Sequence, residues 1–197
     1  AVMDQPSGTA CVQREQGFLD TVGDYFEIVS TTDTEGDTAK TMTAAEDVLT
    51  ADDDLAAFFC INDMGALGCV QAAQAAGKDD ILIYGVDGNP DFMGYVADGS
   101  ATASAAQQPS VIGQKALDAA IDTLDGKEVE HDQTVDVVLI NKDNIADFDV
   151  TDYKSPDAAA RLHQGLVYSG VFVEVPDKFD EGKRLGMERA GFAPDEI

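Results

Sequence analysis

Short apolar runs alternate along the chain with stretches whose apolar positions recur every three or four residues. That alternation predicts repeated strand and helix units around a parallel sheet. Residues 1–3 read as the stub of a first strand, 11–22 as a helix and 25–30 as a second strand; a second helix over 40–49 carries Met42, Ala45, Val48 and Leu49 on one face. A mostly apolar strand is expected at 55–61, then an alanine-rich helix at 66–76 that stops at Gly77. A buried-type strand at 81–86 runs into the turn Asp87-Gly88-Asn89-Pro90, and a short helix over 91–97 closes at Gly99. Residues 101–106 form a weaker strand of small residues. Beyond Pro109 a helix aligns Ile112, Ala116, Leu117, Ala120, Ile121 and Leu124, with Gly126 as its stop. Val135, Val137, Val138, Leu139 and Ile140 mark a last strand at 135–140. The pattern gives an α/β class: an open, doubly wound parallel sheet of about five strands.

From residue 155 onward the character changes. Arg161, Lys178, Lys183, Arg184 and Arg189 supply five of the chain's 12 basic residues; 166–175 has strand-like content and 180–190 fits a short helix. The expected organisation is a binding lobe over 1–109, a helix and strand over 110–154, and a C-terminal extension over 155–197 whose role the residues do not reveal.

Charge narrows the partners. Against 38 acidic residues the net charge is -26, a surface that repels phosphate backbones and anionic lipids, so nucleic-acid binding is excluded. The 28 Asp, 10 Glu and 8 Lys resemble the composition of proteins from salt-loving microbes, and an ordinary acidic bacterial protein fits equally. The apolar content of 44% supports a packed core, and no apolar run approaches the ~20 residues of a membrane-spanning helix. Ala1-Val2-Met3-Asp4 shows neither a basic stretch nor a signal-type apolar core, so a soluble chain or the soluble part of one is expected. Cys11, Cys60 and Cys69 lack close pairing, and the default reading is packing thiols rather than a disulfide framework or a cysteine zinc site.

In open α/β sheets ligands meet the carboxyl ends of the strands. There the sequence places Arg14, Asn62, Asp87 and Gln107: a guanidinium, a carboxylate and two amides, with no nucleophile and base pair and no metal cluster. This is a set for binding, without catalysis, cofactor or metal. Each member has a plainer alternative: a surface ion pair for Arg14, turn roles for Asn62 and Asp87, a loop amide for Gln107. Asp63 is read as a helix N-cap. His131 and His163 match no ligand or base spacing and are expected to be exposed.

Three stretches carry a specific resemblance: Phe59-Cys60-Ile61-Asn62-Asp63-Met64-Gly65-Ala66-Leu67-Gly68, Tyr84-Gly85-Val86-Asp87-Gly88-Asn89-Pro90-Asp91, and Ala106-Gln107-Gln108-Pro109. In order and spacing they resemble the ribose-type periplasmic sugar-binding proteins, the solute receptors of ABC importers, and the likeness runs to about Asn144. The resemblance implies a Rossmann-like lobe of the type I periplasmic binding protein fold. It implies that Arg14 and Asp87 grip vicinal hydroxyls of a sugar or polyol, with Asn62 and Gln107 binding further hydroxyls, and that an ABC permease is the partner. It also implies a periplasmic or extracellular place of work, inferred from the family and not from a signal.

Two departures stand beside it. The family has two lobes and this sequence resembles the C-terminal one, so a missing N-terminal lobe or a homodimer would be needed to cover the apolar face of the 110–124 helix. Gly36 stands where many relatives carry an aromatic that stacks on the sugar, which leaves polyols and other small polar solutes open. The alternative reading is the effector-binding lobe of a lactose-repressor-like regulator. The acidic charge and the lack of a helix-turn-helix segment weigh against it. A doubly wound enzyme is the third class, with no G-x-G-x-x-G, Walker or G-x-S-x-G motif to support it.

Overall fold

The computed structural model describes residues 1–148. Strands β1 (Val2–Asp4), β2 (Thr31–Asp33), β3 (Ala57–Cys60), β4 (Leu82–Asp87), β5 (Ala103–Ala106) and β6 (Val138–Asn141) form one sheet in the order β2-β1-β3-β4-β5-β6. The first five are parallel, and β6 lies antiparallel against β5 with Ala106 opposite Val138. Helices α1 (Thr9–Val22), α2 (Thr38–Ala51), α3 (Asp63–Ala76), α4 (Pro90–Asp98) and α5 (Pro109–Leu124) follow the strands. The order steps outward from β1 to β2 and then back across β1 to β3. Right-handed crossovers therefore place α1 on one face and α2, α3 and α4 on the other.

The core follows from that arrangement. Met3, Phe58, Cys60, Ile83 and Phe92 pack with Ala45, Val48, Leu49, Val70 and Val96 on the face of α2, α3 and α4. On the opposite face Phe18 of α1 lies flat on Phe59 of β3, ring centroids 4.1 Å apart. The half-buried residues of α1 recur as Cys11, Arg14, Glu15, Phe18, Leu19 and Val22, one helical stripe. The thiols of Cys60 and Cys69 come within 3.4 Å inside the core although nothing in their spacing announced it.

Helix starts are fixed by caps: Asp37 accepts from Lys40 N–H (2.9 Å) before α2, and Asn62 accepts from Gly65 N–H (2.8 Å) before α3. The second strand differs from expectation. Residues 25–30 form a turn and an extended link, with Tyr25 82% exposed and its N–H bonded to Val22 O, and the strand begins at Thr31. Register decides this, since Thr31–Asp33 is the segment that pairs with Val2–Asp4. Aromatic and β-branched content at 25–30 mimicked a strand, yet only Ser30 O, which accepts from Val2 N–H (2.8 Å), touches β1.

The chain divides into two compact units. One holds Ala1–Gln108 together with the chain from Asp136, so β6 belongs to the sheet of the first 108 residues. Pro109–Val135 belongs to the other unit, where α5 has no buried residue and Lys115 Nζ donates to Thr134 O (2.9 Å). The expected strand at 166–175 and helix at 180–190 lie outside the described residues, as does His163. Among the described residues no helix is long and apolar enough to cross a membrane.

Candidate functional site

Four strand ends meet on one rim. The flat stack of Phe18 on Phe59 fixes α1 against the sheet, so that Arg14, one turn earlier, reaches the ends of β3 and β4. Its Nη1 donates to Ile61 O (2.9 Å) and its Nη2 to Asp87 Oδ1 (3.0 Å), which orients the guanidinium plane. Gln107, just past β5, donates from Nε2 to the same Oδ1 at 2.6 Å, and its backbone N–H bonds Asp87 O (3.1 Å). Among the described residues Oδ2 of Asp87 has no hydrogen-bond partner. The side chains of Arg14 and Asp87 are 22% and 36% exposed, so the pair is reachable yet partly shielded. The structure thus joins Arg14, Asp87 and Gln107 in one cluster.

Asn62 sits beside them with a different first duty. Its Oδ1 caps α3 through Gly65 N–H, leaving the amide Nδ2 toward the loop of Gly36. Gly36 has φ +64, and a Cβ built there would run into Asn62 Nδ2 and lie 2.6 Å from Gln5 Oε1. An aromatic at this position is incompatible with the present packing of Asn62. The glycine is therefore tied to the local geometry of the rim.

Asp63 was expected to be the cap, and the structure corrects this: Asn62 caps the helix, and Asp63 is fully buried. Its Oδ2 accepts from Asn89 N–H (2.5 Å) and its Oδ1 from Ser104 Oγ–H (2.8 Å). Burial, reinforced by the Asp87 carboxylate, raises its carboxyl to about 7, while the hydrogen bonds from Asn89 and Ser104 pull the other way. Asp4, at the end of β1, is a second buried carboxylate that the sequence reading passed over; its Oδ1 has no partner among the described residues. Asp4 also contributes to holding the Glu15 carboxyl above its ordinary range, after burial. The signal for both was available: each carboxylate follows an apolar run at a strand end.

Among the described residues no group of three His, Cys, Asp or Glu could hold a metal ion, and His131 is almost fully exposed beside Asp132. A hollow of about 500 Å³ beside β2 and α2, lined in part by Val29, Thr32, Asp47 and Val48, shares no residue with the rim cluster. What the cluster offers chemically is donors and acceptors for neutral hydroxyls: a fixed guanidinium, a carboxylate oxygen and amide groups.

Residues 1–128 match the family model described as a periplasmic binding protein domain. Over 135 residues the chain is 36% identical to the ribose import binding protein of Escherichia coli, covering 68% of this chain and 46% of that protein. It is 37% identical over 125 residues to the ribose import binding protein of Bacillus subtilis, covering 64% and 41%. Among solved structures, the periplasmic binding protein of the Shewanella arabinose ABC transporter, bound to L-arabinofuranose, superposes with a TM-score of 0.68 at 31% identity over 82% of this chain and 55% of that one. The D-allose-bound solute binding protein of Actinobacillus succinogenes gives a TM-score of 0.71 at 25% identity over 75% and 53%. The chain spans about half the length of these relatives. The matched residues, the identities and the superpositions agree: this chain belongs to the periplasmic binding protein domain family.

Proposed function

We propose that this chain is the solute-binding component, or a lobe of it, of an ABC importer, taking a sugar or polyol at the rim formed by Arg14, Asn62, Asp87 and Gln107 and performing no catalysis. The observation that carries the reading is the convergence of Arg14 and Gln107 on one oxygen of Asp87, which leaves the other as an acceptor for a ligand hydroxyl. Hydrogen bonds from charged groups to neutral hydroxyls contribute on the order of 1.5–3 kcal/mol each in a shielded site. The relatives that carry ribose, D-allose or arabinose in their names support a neutral polyhydroxylated ligand. Gly36, with no room for a stacking ring, extends the class to polyols. The place of work that follows is the periplasm or the extracellular face, with a membrane permease as partner. A rim on one lobe offers half a cleft, so affinity in the isolated chain is weak.

Amide NMR of the chain, titrated with ribose, allose, arabinose and myo-inositol, tests this. Weak, saturable shifts at Asn62, Gly88 and Gln107 that vanish in Asp87→Ala are expected. A folded chain whose rim amides respond to none of these solutes, or respond equally in Asp87→Ala, overturns the reading.

A further inference from the structure

We propose that Asp63 is a positioning residue for ligand recognition: its buried carboxylate reaches from the first turn of α3 across β4 and fixes the turn that presents Asp87. The inference deepens the binding function proposed above and rests on it. Asp87 ends β4 with φ +119, a conformation that side-chain-bearing residues rarely adopt, and Gly88 follows at φ +79. A residue held there needs its surroundings to over-determine it.

The N–H groups of the next two residues supply that constraint. Asn89 N–H donates to Asp63 Oδ2, and Gly88 N–H to Ser104 Oγ (3.1 Å), whose own hydroxyl donates to Asp63 Oδ1. Carboxylate and hydroxyl therefore form one acceptor platform under the turn. Its construction is visible in the sheet itself, because a Cβ at Gly85 would collide with Asp63 Oδ1 and lie 2.9 Å from Phe92. Gly85 clears the path by which the carboxylate crosses β4. Helix capping does not account for Asp63, since Asn62 already caps α3. Packing does not account for it either, since burying a carboxyl at 0% exposure is costly where an apolar side chain is not. The arrangement links neighbours in function: Asn62 and Asp63 are consecutive, one facing the rim and the other holding Asp87 from below.

The test uses the 197-residue chain and three variants. Asp63→Ala removes both acceptors, Ser104→Ala removes the acceptor of Gly88 in a milder way, and Asp63→Asn keeps one acceptor for Asn89 N–H and a donor for Ser104 Oγ. Amide exchange of Gly88 and Asn89 is read against Phe58 and Val48 in the core, and the sugar titration is repeated. In Asp63→Ala the Asn89 amide is expected to exchange at least about tenfold faster relative to the core. The sugar response at Gln107 disappears with it, and Asp63→Asn restores both. Should Asp63→Ala fail to fold, Ser104→Ala carries the test, with faster exchange at Gly88 and a weakened sugar response. Unchanged relative exchange in Asp63→Ala, or in Ser104→Ala where that variant stands in, overturns the positioning role. So does a lost turn with sugar binding intact. A wild-type rim that binds none of the sugars overturns the binding reading and this role with it, and the exchange data show separately whether the turn is held.

Discussion

Replacing Asp63 by asparagine isolates the energetics of one buried carboxyl. Desolvation dominates its environment; of the groups around it, the Asp87 carboxylate opposes ionisation, while Asn89 N–H and Ser104 Oγ–H donate to it. The folded chain holds this proton to about pH 7, whereas an unfolded carboxyl releases it near 3.8. Between those values the folded state binds the extra proton, so stability from this group is fully present below about pH 4 and is lost as the pH rises through 7. The gap corresponds to about 4 kcal/mol at full ionisation. Asparagine is the isostere of the neutral acid and does not titrate. Urea unfolding of both proteins from about pH 5 to pH 8 at constant salt cancels the many surface carboxylates in the difference. By these values wild type has already lost about 1.7 kcal/mol of this stability at pH 5, so the variant is expected to gain about 2.5 kcal/mol on wild type between pH 5 and pH 8. A flat difference, or a wild type that gains with pH, would refute the reasoning: the donors Asn89 and Ser104 would then outweigh desolvation and keep the carboxylate ionised.

Two further outcomes follow from close approaches in the core and rim. Gly36→Ala places a Cβ against the Asn62 amide at a positive φ, and thermal or urea unfolding is expected to show a loss of about 1–2 kcal/mol; a neutral result would mean that the loop yields freely. Cys60 and Cys69 are fully buried, and burial followed by the neighbouring Cys60 sulfur pushes the Cys69 thiol well up, whereas Cys11 is half-buried. A thiol reagent is therefore expected to count one accessible cysteine in the reduced native chain and three after unfolding, and rapid labelling of more than one in the native state would contradict the packing.

Much of the molecule was legible because its signals are local. The periodic apolar positions of α2 and α5, the glycines that close α3 and α4, and the apolar content of β3 and β4 each act within a few residues of themselves. The same holds for the strand ends, which is why Arg14, Asp87 and Gln107 could be picked out before their contacts were known. Where partners had to be chosen at a distance, local content misled: of 25–30 only Ser30 reaches β1, its carbonyl accepting from Val2 N–H, while the polar Thr31–Asp33 carries the paired register. Asp63 was read as a cap because sequence shows a carboxylate before a helix and not the depth at which it lies.

The chain by its order of residues thus determined an α/β class, a strongly acidic composition and a set of polar groups, Arg14, Asn62, Asp87 and Gln107, at strand ends. Packing settled the rest. Residues 14, 87 and 107 meet on one oxygen because the order β1-β3-β4-β5 brings the ends that carry them side by side, and β6 adds antiparallel at the edge beside β5. Asp63 turns inward because Gly85 leaves space over β4 and Ser104 waits on β5. Propensity and periodicity act over neighbouring residues, whereas hydrogen-bond convergence and burial depend on which segments the sheet sets next to one another.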